Sequence, residues 1–121
     1  MPFARRTFTL AGVLGLLMLL PMFFLYDRIG ADYPPAVTHP EFFYGFLAVT
    51  VAWQIAFLII GSDPIRFRPL MLAAICEKGF YIVAMTWLYV QGRQTAAQFA
   101  VTGFDVVFGT LFVVSYLRTA R

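Results

Sequence analysis

Four apolar runs alternate with short polar stretches along the chain. The runs are about Thr7–Tyr26, Glu41–Ile60, Leu70–Val90 and Gln98–Leu117, and between them lie Asp27–Pro40, Gly61–Pro69 and Gln91–Ala97. Each run is long enough for a helix to cross a hydrocarbon core of about 30 Å, which takes roughly 20 residues. There is no internal repeat between the halves and no low-complexity segment. The pattern predicts an all-α membrane protein, a four-transmembrane-helix bundle, with residues 1–121 forming a single integral membrane domain.

The residues at the run ends sharpen these boundaries. The first run follows Arg5 and Arg6, as the core of a signal peptide would. Its apolar stretch is too long for that, and no small-x-small cleavage site follows, so it reads as a retained helix. Gly12 and Gly15 give it a low profile suited to close helix packing. Pro21 deletes one backbone donor and predicts a kink near the outer end. Thr38-x-x-Glu41 reads as a capping box opening the second helix, with His39 in the turn and Pro40 in the first helical turn. Gly45, Ala48, Ala52 and Ala56 share one side of that helix, a small-residue face suited to a neighbouring backbone. In the second connection, Ser62 or Asp63 can cap a short turn started by Pro64, and Pro69 starts the third helix. The short third connection makes the third and fourth helices antiparallel neighbours.

Composition agrees with a bilayer as second solvent. Hydrophobic residues make up 61% of the chain and charged residues 12%, against roughly 45–50% and about 25% in soluble domains. A soluble domain this small buries only about 60–70% of its unfolded surface and cannot hide so much apolar area. The net charge of +3 is no nucleic-acid signal, because the basic residues sit at the ends of apolar runs. Lipid phosphates lie at those levels. The single cysteine, Cys76, excludes an intramolecular disulfide and a CxxC redox pair, and with them the four-helix thiol–quinone oxidoreductases. Inside an apolar run it reads as a small buried packing residue.

Basic residues also set the expected orientation. Arg5, Arg6, Arg66, Arg68, Arg118 and Arg121 fall at one end of the alternating spans, and Arg28 and Arg93 at the other. The positive-inside rule then places both termini and the second connection in the cytoplasm. Tyr26, Tyr44, Trp87, Tyr89 and Tyr116 near the run ends fit interfacial aromatic belts. Arg66 and Arg68 are expected to reach lipid headgroups.

Against this background the charged residues within the runs stand out. Glu77 and Lys78 lie in the third run and Asp105 in the fourth. At a rise of about 1.5 Å per residue, Glu77 is roughly 10–12 Å in from one boundary and Asp105 roughly 10–12 Å from the other. Their levels differ by about 6–10 Å across a core of about 30 Å. The flexible stem of Lys78 spans part of that gap toward Asp105, and Gln54 descends to the depth of Glu77. An unpaired charge at such depth costs at least about 2.5–3.5 kcal/mol. The expectation is a polar core of Glu77, Lys78, Asp105 and Gln54, with Lys78 turned to Asp105 and Glu77 facing Gln54 or a pocket. Glu77 shares a helix side with Tyr81, and Asp105 one with Gln98, Thr102, Gly109 and Tyr116. Trp53, Tyr81 and Trp87 are expected to wall an aromatic pocket. Asp27, Asp32, His39 and Glu41 match no metal-ligand spacing, and no metal or other cofactor is expected.

The segment Arg68-Pro69-Leu70, followed by Glu77-Lys78 and then Asp105 with Gly109 and a basic tail, resembles small four-span bacterial inner-membrane proteins without an assigned chemistry. More loosely it is similar to the DoxX-like group. The resemblance implies a bundle in the bacterial cytoplasmic membrane. The chain also looks faintly like the emopamil-binding, sterol-isomerase kind of bundle, though no residue matches a motif of that kind. Small multidrug transporters rely on a glutamate in the first helix, and this first helix has none. The leading functional expectation is a non-enzymatic scaffold, accessory subunit or binder of a lipid-like ligand. Its partners would be membrane lipids, another membrane protein or a second copy. The alternatives are an isomerase-like enzyme with Glu77 as acid/base, and a proton-coupled transporter with Glu77 as carrier.

Overall fold

Backbone polar groups inside an apolar run find no side-chain partners, so the helix, which satisfies them internally, is the state such a run adopts. The computed structural model describes residues 2–32 and 39–119. Helix α1 covers Pro2–Leu19 and continues into a 3-10 segment, Leu20–Phe24, with Pro21 in its first turn. The tightening follows from the donor that proline lacks. A short helix, α2 (Tyr26–Asp32), occupies part of the first connection. Ile29 N bonds to Leu25 O at 2.8 Å at its start, so helix reaches into a stretch expected to be a polar loop. Helix α3 covers Pro40–Ser62, with His39 at its N-cap and no side-chain cap bond. Thr38 of the expected capping box and Arg121 of the basic tail lie outside the described residues.

Helix α4 covers Arg68–Val90 with Pro69 in its first turn. In the connection before it, Asp63 accepts from Phe67 N through its carbonyl at 3.1 Å and from Arg66 N through Oδ1 at 3.4 Å. Gly92 closes α4 with φ of 73°, and Arg93 N reaches back to Leu88 O at 2.9 Å. That left-handed closure suits a residue without a Cβ. Helix α5 (Ala96–Ala100) opens with a capping box in which Thr95 and Gln98 exchange side-chain and backbone bonds. Gln98 is therefore spent on the cap instead of extending the polar side of the fourth span. Helix α6 covers Gly103–Arg118.

The segments Phe3–Phe24, Pro40–Ser62, Arg68–Val90 and Ala96–Arg118 are each long and apolar enough to cross a membrane. Only 11–22% of each is buried within the chain, so most of this apolar surface faces outward. The spans form an up-down ring in the order α1, α3, α4, α6, and α6 closes against α1. Packing is most extensive between α1 and α3, where glycines bring the backbones together. A Cβ on Gly12 would lie 2.8 Å from Gln54 O and 2.7 Å from Leu58, and one on Gly15 would overlap the Gln54 side-chain oxygen. The antiparallel pairings Gly12 with Leu58, Phe8 with Phe112 and Lys78 with Asp105 fix the levels of the four spans.

Tight packing is concentrated at the end holding the N-terminus, the 63–67 connection and the end of α6. There Ala4, Phe8, Phe57, Ile60, Met71, Ala74 and Phe112 are buried together. Phe8 stacks on Phe112 at 4.2 Å, and Phe57 meets Phe112 edge-on at 5.0 Å. Two expectations are corrected here. Gly45, Ala48 and Ala52 are exposed on the outer side of α3, because α1 approaches α3 through the side carrying Gln54 and Leu58. Cys76 is exposed too, because α4 turns Ala74, Glu77 and Lys78 inward and leaves Cys76 on the outer face.

Candidate functional site

Glu77 and Lys78 are consecutive on α4 and leave the helix about 100° apart. Lys78 Nζ turns to α6 and donates to Asp105 Oδ1 at 2.9 Å. Glu77 Oε1 lies 3.8 Å from the same ammonium, beyond hydrogen-bond length. The Lys78, Glu77 and Asp105 side chains are 12%, 21% and 20% exposed, so one ammonium faces two part-buried carboxyls. Below it, the Phe57 ring centroid is 5.5 Å from Lys78 Nζ, a cation–π contact that ties the charges to the aromatic core.

Asp105 owes its position to a break in the fourth span. Val101 N bonds to Gln98 O at 3.3 Å, Thr102 N to Phe99 O at 2.9 Å and Asp105 N to Thr102 O at 2.9 Å. These i−3 bonds tighten the chain between α5 and α6, next to Gly103, a poor helix former. The break leaves Asp105 in the first turn of α6, where the positive end of the helix dipole favours a carboxylate. The fourth span, expected at about Gln98–Leu117, is found as Ala96–Arg118 with this tightening inside it.

Above the charges the four spans part around a cavity of about 470 Å³. Antiparallel pairing puts Gln54, Glu77, Lys78 and Asp105 toward the packed end, so they form its floor together with Thr50 and Tyr81. The lining continues upward through Met18, Phe104 and Val101 to Met22 and Phe46, while Leu14 and Phe108 line it at or below the level of the charges. The space therefore has a belt of charged and polar side chains near its packed end and apolar walls above that belt.

Much of the polar floor is already satisfied. Gln54, 3% exposed, donates through Nε2 to Thr50 O at 3.0 Å, and Thr50 Oγ1 donates to Phe46 O at 2.6 Å. Gln54 thus bonds along its own helix while sharing the floor with Glu77. Glu77 differs: its Oε1 is buried and has no hydrogen-bond partner among the described residues. Leaving such an acceptor unmatched costs about 1–3 kcal/mol, more when it is charged.

The expected aromatic wall is corrected. Tyr81 lines the cavity and stacks with Phe46 at 6.4 Å. Trp53 instead packs beside Phe57 in the core, and Trp87 is exposed. Phe46, Phe104 and Phe108 take their place. The i,i+4 series Phe46, Thr50, Gln54 and the pair Phe104, Phe108 carried that information, but every span offers several such aromatic series. Arg66 is exposed and lies over Phe67 at 5.4 Å. Arg68 has internal partners: its Nε donates to Tyr116 O at 3.1 Å, and its guanidinium sits 3.8 Å from the Tyr116 ring. It thereby caps the end of α6. His39 Nδ1 lies 3.6 Å from Glu41 on the surface, and among the described residues no three His, Cys, Asp or Glu gather as a metal site requires.

Comparison with known proteins finds no matching family model, no matching curated protein and no matching solved structure.

Proposed function

We propose that this chain is an integral membrane protein whose central cavity binds a lipid-like ligand. The ligand presents a hydrogen-bond donor, preferably cationic, to Glu77 and lays an apolar body against Met18, Phe46 and Phe104. The observation that carries this reading is the Glu77 carboxyl on the floor of a 470 Å³ cavity: it accepts no hydrogen bond among the described residues, and Lys78 Nζ, bonded to Asp105, stays 3.8 Å from its Oε1. A helix-to-helix tie needs one carboxyl for one ammonium, and Lys78 with Asp105 already supplies that pair. The second carboxyl is surplus to packing and available to a ligand. When ionised it repels anionic heads, and the apolar walls disfavour fully polar solutes. The four spans, with the arginine-rich end and both termini in the cytoplasm, give the ligand access from the bilayer.

The test uses a series with one apolar body and three heads: dodecylammonium, dodecanol and dodecanoate. Each is added at low mole fraction to the full chain in nonionic micelles, and thermal unfolding is followed. Stabilisation should fall in that order, and Glu77→Gln should remove the advantage of the amine over the alcohol. Equal shifts for all three heads, or an amine preference that survives in Glu77→Gln, would overturn the reading.

The same unmatched oxygen favours a second reading, in which Glu77 moves a proton on the bound molecule. Under that reading Glu77→Asn would retain dodecanol binding yet abolish turnover of a hydrophobic substrate that the parent converts.

A further inference from the structure

A second groove lies on the outside of the bundle, between α1 and α6, with a volume of about 490 Å³. Phe3, Arg6, Thr7 and Leu10 line it from α1, and Leu111 and Arg118 from α6. We infer that it holds an anionic phospholipid, with the phosphate between Arg6 and Arg118 and an acyl chain running toward Leu10 and Leu111.

The order of residues along the groove matches the order of groups along such a lipid. The helices are antiparallel, so Phe3 lies beside Arg118, with the guanidinium 4.8 Å from the ring, and Leu10 lies near the level of Leu111. From arginine to leucine the groove runs about 10 Å, at about 1.5 Å per residue over seven residues. Both guanidiniums stand at its terminal end and both leucines deeper along the spans.

Charge balance points the same way. Arg5, Arg6, Arg66, Arg68 and Arg118 gather at this end, and Asp63 is the carboxylate described there. Arg5 donates to Ser62 O at 3.2 Å, and Arg68 is held by Tyr116. Arg6 and Arg118 are exposed, and among the described residues neither is paired with a carboxylate. Two guanidiniums flanking one apolar groove repel each other until an anion lies between them. Guanidinium is also the side chain that grips phosphate oxygens in pairs. The inference rests on the membrane-spanning reading and is independent of the central cavity.

The test compares two lipids with the same palmitoyl and oleoyl chains, phosphatidylglycerol and phosphatidylcholine. Retention by the full chain is measured by native mass spectrometry from nonionic micelles. Phosphatidylglycerol should be retained preferentially. Each arginine is expected to contribute about fivefold, so Arg6→Gln with Arg118→Gln should lose about twenty-five-fold. Arg66→Gln, at the same end but off the groove, should lose little. Equal retention of both lipids by the parent would overturn the inference, whether or not the double variant folds. So would an Arg66→Gln loss as large as that of the double variant, which would mean diffuse attraction. Inorganic phosphate that displaces phosphatidylglycerol at equal concentration would show that the apolar groove contributes nothing. Release of the chain from membranes by alkaline carbonate without detergent would overturn the spanning reading separately.

Discussion

Replacing Lys78 should damage this protein far more than replacing either carboxyl it faces. The ammonium is 12% exposed, bonded to Asp105 at 2.9 Å and 3.8 Å from Glu77. Lys78→Met keeps the length of the stem and removes the charge. Asp105 then has no cation, in a site where hydration cannot substitute for one. The expected loss is the roughly 3–5 kcal/mol seen when one partner of a buried ion pair is removed. Asp105→Asn is different. It leaves Lys78 with Glu77 close by, so the loss is that of one charge-assisted hydrogen bond, about 1.5–3 kcal/mol before the remaining pair closes up. Glu77→Gln leaves the bonded pair whole and should stay within about 1 kcal/mol of the parent.

The assay is unfolding by SDS in mixed micelles. Adding Asp105→Asn to Lys78→Met should recover more than half of the loss, because it removes the carboxylate that was bonded to the missing ammonium. A Lys78→Met protein within about 1 kcal/mol of the parent would refute the reasoning, as would a double variant no more stable than Lys78→Met alone.

Three further outcomes are expected, read by the same unfolding assay. Gly12→Ala should cost about 1–3 kcal/mol, because its Cβ meets the carbonyl of Gln54 at 2.8 Å and a backbone atom cannot rotate away. Gly15→Ala should cost less, since the atom in its way is the end of the Gln54 side chain. Phe112→Ala removes the ring shared by Phe8 and Phe57. It should cost about 3 kcal/mol, the low end for aromatic truncation, because in lipid the packing is lost without the water-transfer contribution. Arg68→Ala should cost about 1–2 kcal/mol from the lost Tyr116 ring contact and carbonyl bond. Arg68→Lys should recover part of that.

The span pattern was legible in the sequence because length and hydropathy alone decide it, and each expected run overlaps a helix in the structure. What stayed hidden was which side of each helix faces protein. In soluble helices polarity marks the outside, but here lipid is as apolar as the core. The small residues of α3 illustrate this. Gly45, Ala48 and Ala52 looked like a packing face, yet α1 approaches on the Gln54 and Leu58 side, matched by Gly12 and Gly15. Trp87 and Phe46 illustrate it again: both are large and apolar, and only the fold tells that one faces outward and the other the cavity. The polar residues Gln54, Glu77, Lys78 and Asp105 were legible because charge and amide groups have few tolerable places in such a chain. The cavity above them was not, since a gap depends on how four faces fail to meet. The break before Asp105 had a local signal in Thr102 and Gly103, too weak against a continuous apolar run.

The charges lie where packing ends. A lysine–aspartate tie would hold α4 to α6 at any buried level. This one rests against Phe57 on its packed side and opens to the cavity on the other. Lys78 and Asp105 are bonded to each other at 2.9 Å, so their hydrogen-bonding capacity goes first to that tie. Glu77 is one residue and about 100° away, lining the same cavity with no hydrogen bond of its own among the described residues and the ammonium 3.8 Å from its Oε1. On the proposed reading the pair ties α4 to α6 while Glu77 meets the ligand. Asp105→Asn should then lower stability while leaving the amine-over-alcohol preference intact. Glu77→Gln should erase that preference while leaving stability intact. A variant of either residue that moves both readouts together would show that the three groups act as one unit.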